Sequence, residues 1–218
     1  MKYFFTFLLI SVLLFLSSCG GKKEKEVDIT GSDLEAEMIN TYNAGIEALE
    51  QGDVLFAAKN FNTVENLYPQ SLWASRSILM AAYSYYSQDY YGDAISEVKR
   101  FLRNYPANEN IAYAHFLLGI CYYELIVDEK KDLSPLLNSK KYFNIVINEY
   151  PNTDFALDAK FKLDLIANVL ASKEVYIGKY YISRKKWIPA INRFKNVINK
   201  YEKTEYVEET MHRVVEIN

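Results

Sequence analysis

The sequence predicts an all-α protein built from tandem helical hairpins, and three observations carry that expectation. Short amphipathic runs with apolar residues at helical spacing follow one another along most of the chain. Small residues recur at matched places within those runs, where two helices would have to approach closely. The 5 prolines among 218 residues fall at apparent run ends, and alternating β-branched stretches are hard to find, so no sheet is predicted.

The chain opens with Met1–Ser18, in which Lys2 precedes the apolar run Tyr3–Leu16. That run of 14 residues is shorter than the roughly 20 a membrane-spanning helix needs, so it reads as a secretory signal outside the fold. Leu16-Ser17-Ser18-Cys19 resembles a bacterial lipobox. The resemblance implies cleavage before Cys19 and acylation of that residue, palmitate included, and several acyl chains on one residue anchor stably where one is marginal. The alternative is an ordinary cleaved signal whose cysteine is incidental. Gly20, where an aspartate would favour inner-membrane retention, points to the outer membrane, with the folded body in the periplasm. Residues 19–33 are polar and charge-mixed without periodicity, as a tether would be.

Residues 34–218 carry the repeats. In Thr41–Pro69, Gly45 marks a helix crossing, Gln51-Gly52-Asp53 a turn, Ala57 and Phe61 a second amphipathic run, and Pro69 its end. Small residue, turn, A-x3-F and closing proline together are the tetratricopeptide (TPR) signature, with Gly45, Ala57, Phe61 and Pro69 at positions 8, 20, 24 and 32 of a 34-residue unit. The second unit places Ala82 at 8, Tyr85 at 11 and Ala94 at 20, and closes at Pro106. The third has Gly119 and Tyr122 at 8 and 11 and closes at Pro151, 45 residues after Pro106; the excess falls in Val127–Asn138, a charged stretch with Pro135 expected to be a surface loop. Asp154–Ser172 should be a long helix running on into the fourth unit, which has Gly178, Tyr181, Ala190 and Phe194 in register and Glu202 in place of the proline. Thr204–Asn218 opens a fifth unit with a single helix, whose apolar face is then expected to lack its cover. Each hairpin is too small to bury its own apolar face, so stacking builds one continuous core, about four repeats forming a curved solenoid.

Composition narrows function. A net charge of −3 gives no basic field for nucleic acid. His115 and His212 lack metal-ligand spacing, and no phosphate loop, nucleophile elbow or paired-carboxylate site occurs, so no catalytic residue, metal or cofactor is expected. Cys121 reads as a small buried hydrophobe.

In TPR arrays the first helix of each pair lines the inner curve. Mapping those positions gives Ile39, Tyr42, Ile46 and Leu49, then Arg76, Leu79, Tyr83 and Tyr86, then Tyr113, Phe116, Ile120 and Tyr123. Such a surface would be apolar and aromatic, which marks a polypeptide-binding face if contiguous, tyrosine offering a large ring and a hydroxyl for peptide groups. The alternative is that these rings only pack neighbouring repeats or cover the long helix. Tyr85, Tyr122 and Tyr181, at position 11, are assigned to packing.

The order of these stretches resembles the BamD family, lipoproteins of the outer-membrane β-barrel assembly machinery. The resemblance rests on Leu49–Asp53 through Tyr68-Pro69, Ala82–Tyr86, Arg100-Phe101-Leu102, Tyr150–Phe155 with Asp158-Ala159, and Tyr180-Tyr181, Arg184, Trp187, Ala190 and Arg193. It implies a non-enzymatic scaffold that binds the barrel subunit BamA through its last POTRA domain, associates with other Bam lipoproteins, and receives unfolded β-barrel precursors by their aromatic C-terminal strand. It places Tyr68 on the substrate side, and Trp187 and Arg193 on the docking side. Family members usually complete a fifth repeat. The competing expectation is another periplasmic TPR lipoprotein, organising cell-wall or secretion enzymes.

Overall fold

The computed structural model describes residues 31–126 and 132–217, and among these the chain forms nine α-helices and no strand. The leader, Cys19 and most of the tether lie outside the described residues, as does the stretch 127–131. The helices are α1 (Gly31–Glu50), α2 (Val54–Leu67), α3 (Leu72–Tyr86), α4 (Tyr91–Asn104), α5 (Ile111–Glu124), α6 (Ser134–Glu149), α7 (Asp154–Ser183), α8 (Trp187–Lys200) and α9 (Tyr206–Ile217). The chain divides into two units, Met1–Glu37 and Met38–Asn218, and the second holds the hairpins. Each helix in it packs on its neighbours in chain order, the arrangement expected of stacked hairpins.

The hairpins close on one repeated contact. Gly45 in α1 faces Phe61, Gly119 in α5 faces Phe143, and Gly178 in α7 faces Phe194, each so close that an added Cβ would lie 2.4–2.8 Å from the ring. All three rings are fully buried. The second hairpin carries Ala82 at this crossing, with Val98 where the others have phenylalanine and Phe101 one turn further on; both are fully buried. A methyl on one helix is thus matched by a smaller partner on the other, and the ring moves to the site that is valine (Val64, Val146, Val197) elsewhere.

The second helices also end alike. Tyr68, Tyr105, Tyr150 and Tyr201 cap α2, α4, α6 and α8 with φ near −130°, each donating its N–H to the carbonyl four residues back. Their own carbonyls accept from the N–H three residues on, at Ser71, Asn108, Thr153 and Thr204. Tyr201 keeps this geometry with Glu202 behind it, so the polar residue at the end of the turn shapes it as well as proline does.

The long helix is present as α7, 30 residues from Asp154 to Ser183. Its first half packs on α5 and α6 and its second half pairs with α8. Two of its residues in the expected apolar pattern, Leu157 and Phe161, stay 63% exposed. The loop expected through Asn138 is shorter than that: Ser134–Asn138 is already helical, with Pro135 in the first turn of α6. Proline is suited there because the N–H it lacks would have no helical partner. In α9 only Thr210 is fully buried, and Met211 and Val215 are exposed.

Candidate functional site

An open cleft lies between the first helices of the second and third hairpins. Leu79, Met80 and Tyr83 of α3, with Arg76, face Glu109, Asn110 and Tyr113 at the start of α5, around 370 Å3. A second hollow of 540 Å3 adjoins it, sharing Arg76, Glu109 and Asn110 and reaching Leu72, Trp73 and Asn108. The wall of the first is mainly apolar. α3 places Arg76, Leu79, Met80 and Tyr83 on one side because residues three and four apart share a helix face.

Tyr83 is 42% exposed and Leu79 forms the buried floor. The Tyr83 and Tyr86 rings lie 6.4 Å apart, and Tyr86 continues to Tyr91 at 6.0 Å. Burial pushes the Tyr113 hydroxyl up to about 12, so it remains a proton donor across physiological pH. Arg76 lies over the Trp73 ring at 5.7 Å, and among the described residues no carboxylate comes within ion-pair distance of it. The arrangement offers rings, an aliphatic floor, one cation and the Glu109 carboxylate at its edge, which suits an extended polypeptide with apolar side chains.

The other expected groove residues are distributed differently. Tyr42 is not on the cleft: it is 9% exposed, edge-on to Phe61 at 5.2 Å and Trp73 at 4.9 Å, because α1 closes over the first crossing there. Tyr68 is the half-buried cap of α2 and packs on the core of the first hairpin, which includes Phe61 and Val64. Phe116 lies in the seam between α5 and α7, 5.5 Å from Phe155 and 5.8 Å from Phe143. Tyr113 also touches Phe155 at 5.5 Å, so it is at once cleft wall and seam. Tyr123 is half-buried beneath Lys162 Nζ, 4.6 Å from the ring. Of the expected set, Tyr83 and Tyr113 meet at the cleft, Tyr86 adjoins through Tyr83, and Tyr42, Tyr68, Phe116 and Tyr123 do not line it.

Met80, Glu109 and Asn110 were not expected. Glu109 and Asn110 belong to the connection before α5, whose turn pattern follows from Tyr105-Pro106 but whose side chains have no repeat position to mark them.

On the fourth hairpin, Arg193 pairs through Nη1 with both carboxylate oxygens of Glu174, at 3.2 and 3.3 Å, and Asn196 donates to the same group. This ion pair lies within the repeat, and with 38% of the Arg193 side chain exposed it leaves guanidinium surface free. Trp187, the first residue of α8, is 48% exposed. Six residues separate the two, about 120° around a helix, so they do not share a face.

Cys121 is fully buried, and burial pushes its thiol up to about 12, which makes it unreactive. His115 stacks between Tyr142 and Tyr150 at 6.1 and 6.2 Å, where burial holds its pKa below the ordinary value against the pull of Glu149. Among the described residues no acidic, cysteine or histidine group could hold a metal, and no helix is long and apolar enough to cross a membrane.

The model of a family described as "YfiO: Outer membrane lipoprotein" matches residues 34–218. Outer membrane protein assembly factor BamD of Rickettsia prowazekii is 36% identical over 95% of this chain and 80% of its own length. The chain belongs to this family of outer membrane lipoproteins. BamD of Caulobacter vibrioides is 35% identical over 97% of the chain and 68% of its length, and that of Neisseria gonorrhoeae 30% identical over 94% and 80%. Among solved structures, the TPR2AB-domain:pHSP90 complex of yeast Sti1 overlays 75% of this chain and 64% of that one, with 17% identity and a TM-score of 0.48. The BamD relatives are named for the assembly of outer membrane proteins, and the turn and cap motifs of this sequence resemble the same family.

Proposed function

We propose that this chain is a lipid-anchored scaffold of outer-membrane β-barrel assembly, tethered through Cys19 and facing the periplasm, which holds unfolded barrel precursors in the cleft between α3 and α5. The observation that carries this is the open apolar wall of Leu79, Met80, Tyr83 and Tyr113 beside Arg76, whose guanidinium has no carboxylate within ion-pair distance among the described residues. Barrel strands alternate apolar and polar side chains, and an extended segment of that kind can lay its apolar row on the rings while tyrosine hydroxyls meet its peptide groups.

The second face of the proposal is α8. Arg193 can keep one edge of its guanidinium on Glu174 and offer the other to a carboxylate of BamA in its last POTRA domain; a planar fork permits this where an ammonium would not. Other Bam lipoproteins would join through the same assembly.

Replacing Tyr83 and Tyr86 together with alanine should weaken binding of an extended barrel-derived peptide by about tenfold or more, the size expected for loss of central aromatic contacts. The helical circular dichroism should not change. Equal affinity in the double variant removes the cleft from the account.

A further inference from the structure

The turn joining α7 to α8 is built of residues its own geometry disfavours. Three inter-helix turns share one backbone shape, with a left-handed residue at the apex: Gly52 (φ 81°), Asp89 (φ 65°) and Lys185 (φ 56°). Glycine adopts that conformation without penalty and aspartate tolerates it; a long side chain does so at a steric cost. After the apex comes the helix N-cap. In the first hairpin Asp53 accepts from the Phe56 N–H at 3.1 Å, whereas Lys186 in the fourth caps α8 with no side-chain hydrogen bond. A cation beside a helix N-terminus also opposes the helix dipole.

The fold therefore does not ask for cations here, yet Arg184, Lys185 and Lys186 follow one another, all exposed. None has a carboxylate within ion-pair distance among the described residues. Around them are rings and an aliphatic side chain open to solvent: Tyr180 at 50%, Trp187 at 48% and Ile188 at 75%. Arg184 lies over the Tyr180 ring at 5.5 Å. At the corresponding place in the other hairpins Val54 is 5% exposed, Tyr91 half-buried and Leu136 fully buried, so a side chain open to solvent there is particular to the fourth.

We infer that this apex is a binding surface for an anionic bilayer, with Arg184, Lys185 and Lys186 among the lipid phosphates and Tyr180, Trp187 and Ile188 at the boundary between headgroups and acyl chains. Lysines flanking tryptophan, tyrosine and an aliphatic at a turn is the composition of interfacial anchors. A protein interface would be expected to exclude lysine from its apolar centre. The charge complement is a phospholipid surface with net negative charge. The family's description as outer membrane lipoproteins puts such a surface within reach. This assigns Trp187 to lipid and leaves Arg193, on another face of α8, to protein docking.

The test uses the chain from Gly20 onward, without leader or Cys19, so that no acyl group contributes; all the core clusters lie within Met38–Asn218. Co-sedimentation with vesicles of phosphatidylcholine containing phosphatidylglycerol is compared with phosphatidylcholine alone. Binding should need the anionic lipid, fall with salt, and shift tryptophan emission to the blue. The variant Lys185→Gly with Lys186→Asp copies the Gly52-Asp53 turn and should fold at least as well. It should bind about a hundredfold more weakly, taking about fivefold for each of three charge units. Equal binding to both vesicles overturns the inference, as does a loss of less than about threefold in the variant. Trp187→Ala gives an independent reading: unchanged affinity for the anionic vesicles also counts against the apex.

Discussion

At the scale of single residues, the fold rests on a matched exchange between glycine and phenylalanine. A Cβ on Gly119 would lie 2.5 Å from Phe143 Cε1, inside a ring with no exposed surface. Alanine gains about 1 kcal/mol of helix propensity over glycine, but overpacking a filled core costs about 1–3 kcal/mol, and a clash this deep belongs near the upper end. Gly119→Ala should therefore lower stability by about 1–2 kcal/mol net in urea unfolding. Val98→Phe should be comparably damaging, and Ala82→Gly together with Phe101→Val should rescue it, since the hairpin then repeats the Gly45, Phe61 and Val64 arrangement. A lack of rescue in that cycle would mean the exchange is coincidental. The small residue and the phenylalanine were both legible in the sequence by register. That Phe101 compensates Val98 was not, because it requires knowing that positions a turn apart on one helix fill the same space. Ser139 is a similar case: it takes the place of alanine and donates to the Gly119 carbonyl at 2.8 Å, a bond no repeat pattern announces.

At the scale of elements, one polar network ties consecutive hairpins together. Arg100 on α4 reaches Glu65 on α2 at 2.6 Å, Glu97 on its own helix at 2.6 Å, and the Asn62 side-chain carbonyl at 2.6 Å. Glu65 is 6% exposed. Removing the cation leaves a nearly buried carboxylate without its partner, so Arg100→Ala should destabilise by about 3 kcal/mol, while Glu65→Gln, which keeps a polar acceptor and removes the charge, should cost clearly less. Urea midpoints of the two variants check this, and equal losses would show that packing rather than desolvated charge matters here. Arg100-Phe101-Leu102 was visible in the sequence as a family motif, but its partners, 35 and 38 residues away, were not. Helix boundaries followed the same division. The long α7 could be read from apolar spacing, whereas the early start of α6 could not, because proline in a first turn and proline in a loop look alike in one sequence.

At the scale of the whole molecule, the site is where two first helices of neighbouring hairpins leave a gap. Position along the repeat pointed to Tyr83 and Tyr113, and both line that gap. It pointed equally to Tyr42, which lies off the gap, because the same repeat position is open or closed depending on what the next hairpin brings: the Tyr42 ring is packed against both Trp73 and Phe61. Phe116 was drawn away by Phe155 in the first turn of α7, a contact made where that helix packs on α5. The inner-face rule thus supplies candidates, and packing between hairpins selects among them.

We propose that the gap bounded by Tyr83 and Tyr113 receives unfolded polypeptide. A photoreactive amino acid placed at position 83, in intact cells synthesising an outer-membrane barrel protein, tests it most directly. The same group at Phe56, 49% exposed on a second helix away from the cleft, serves as the control. Irradiation should link the barrel precursor to position 83 and not to position 56. Precursor adducts absent at 83, or equally abundant at both positions, would contradict it.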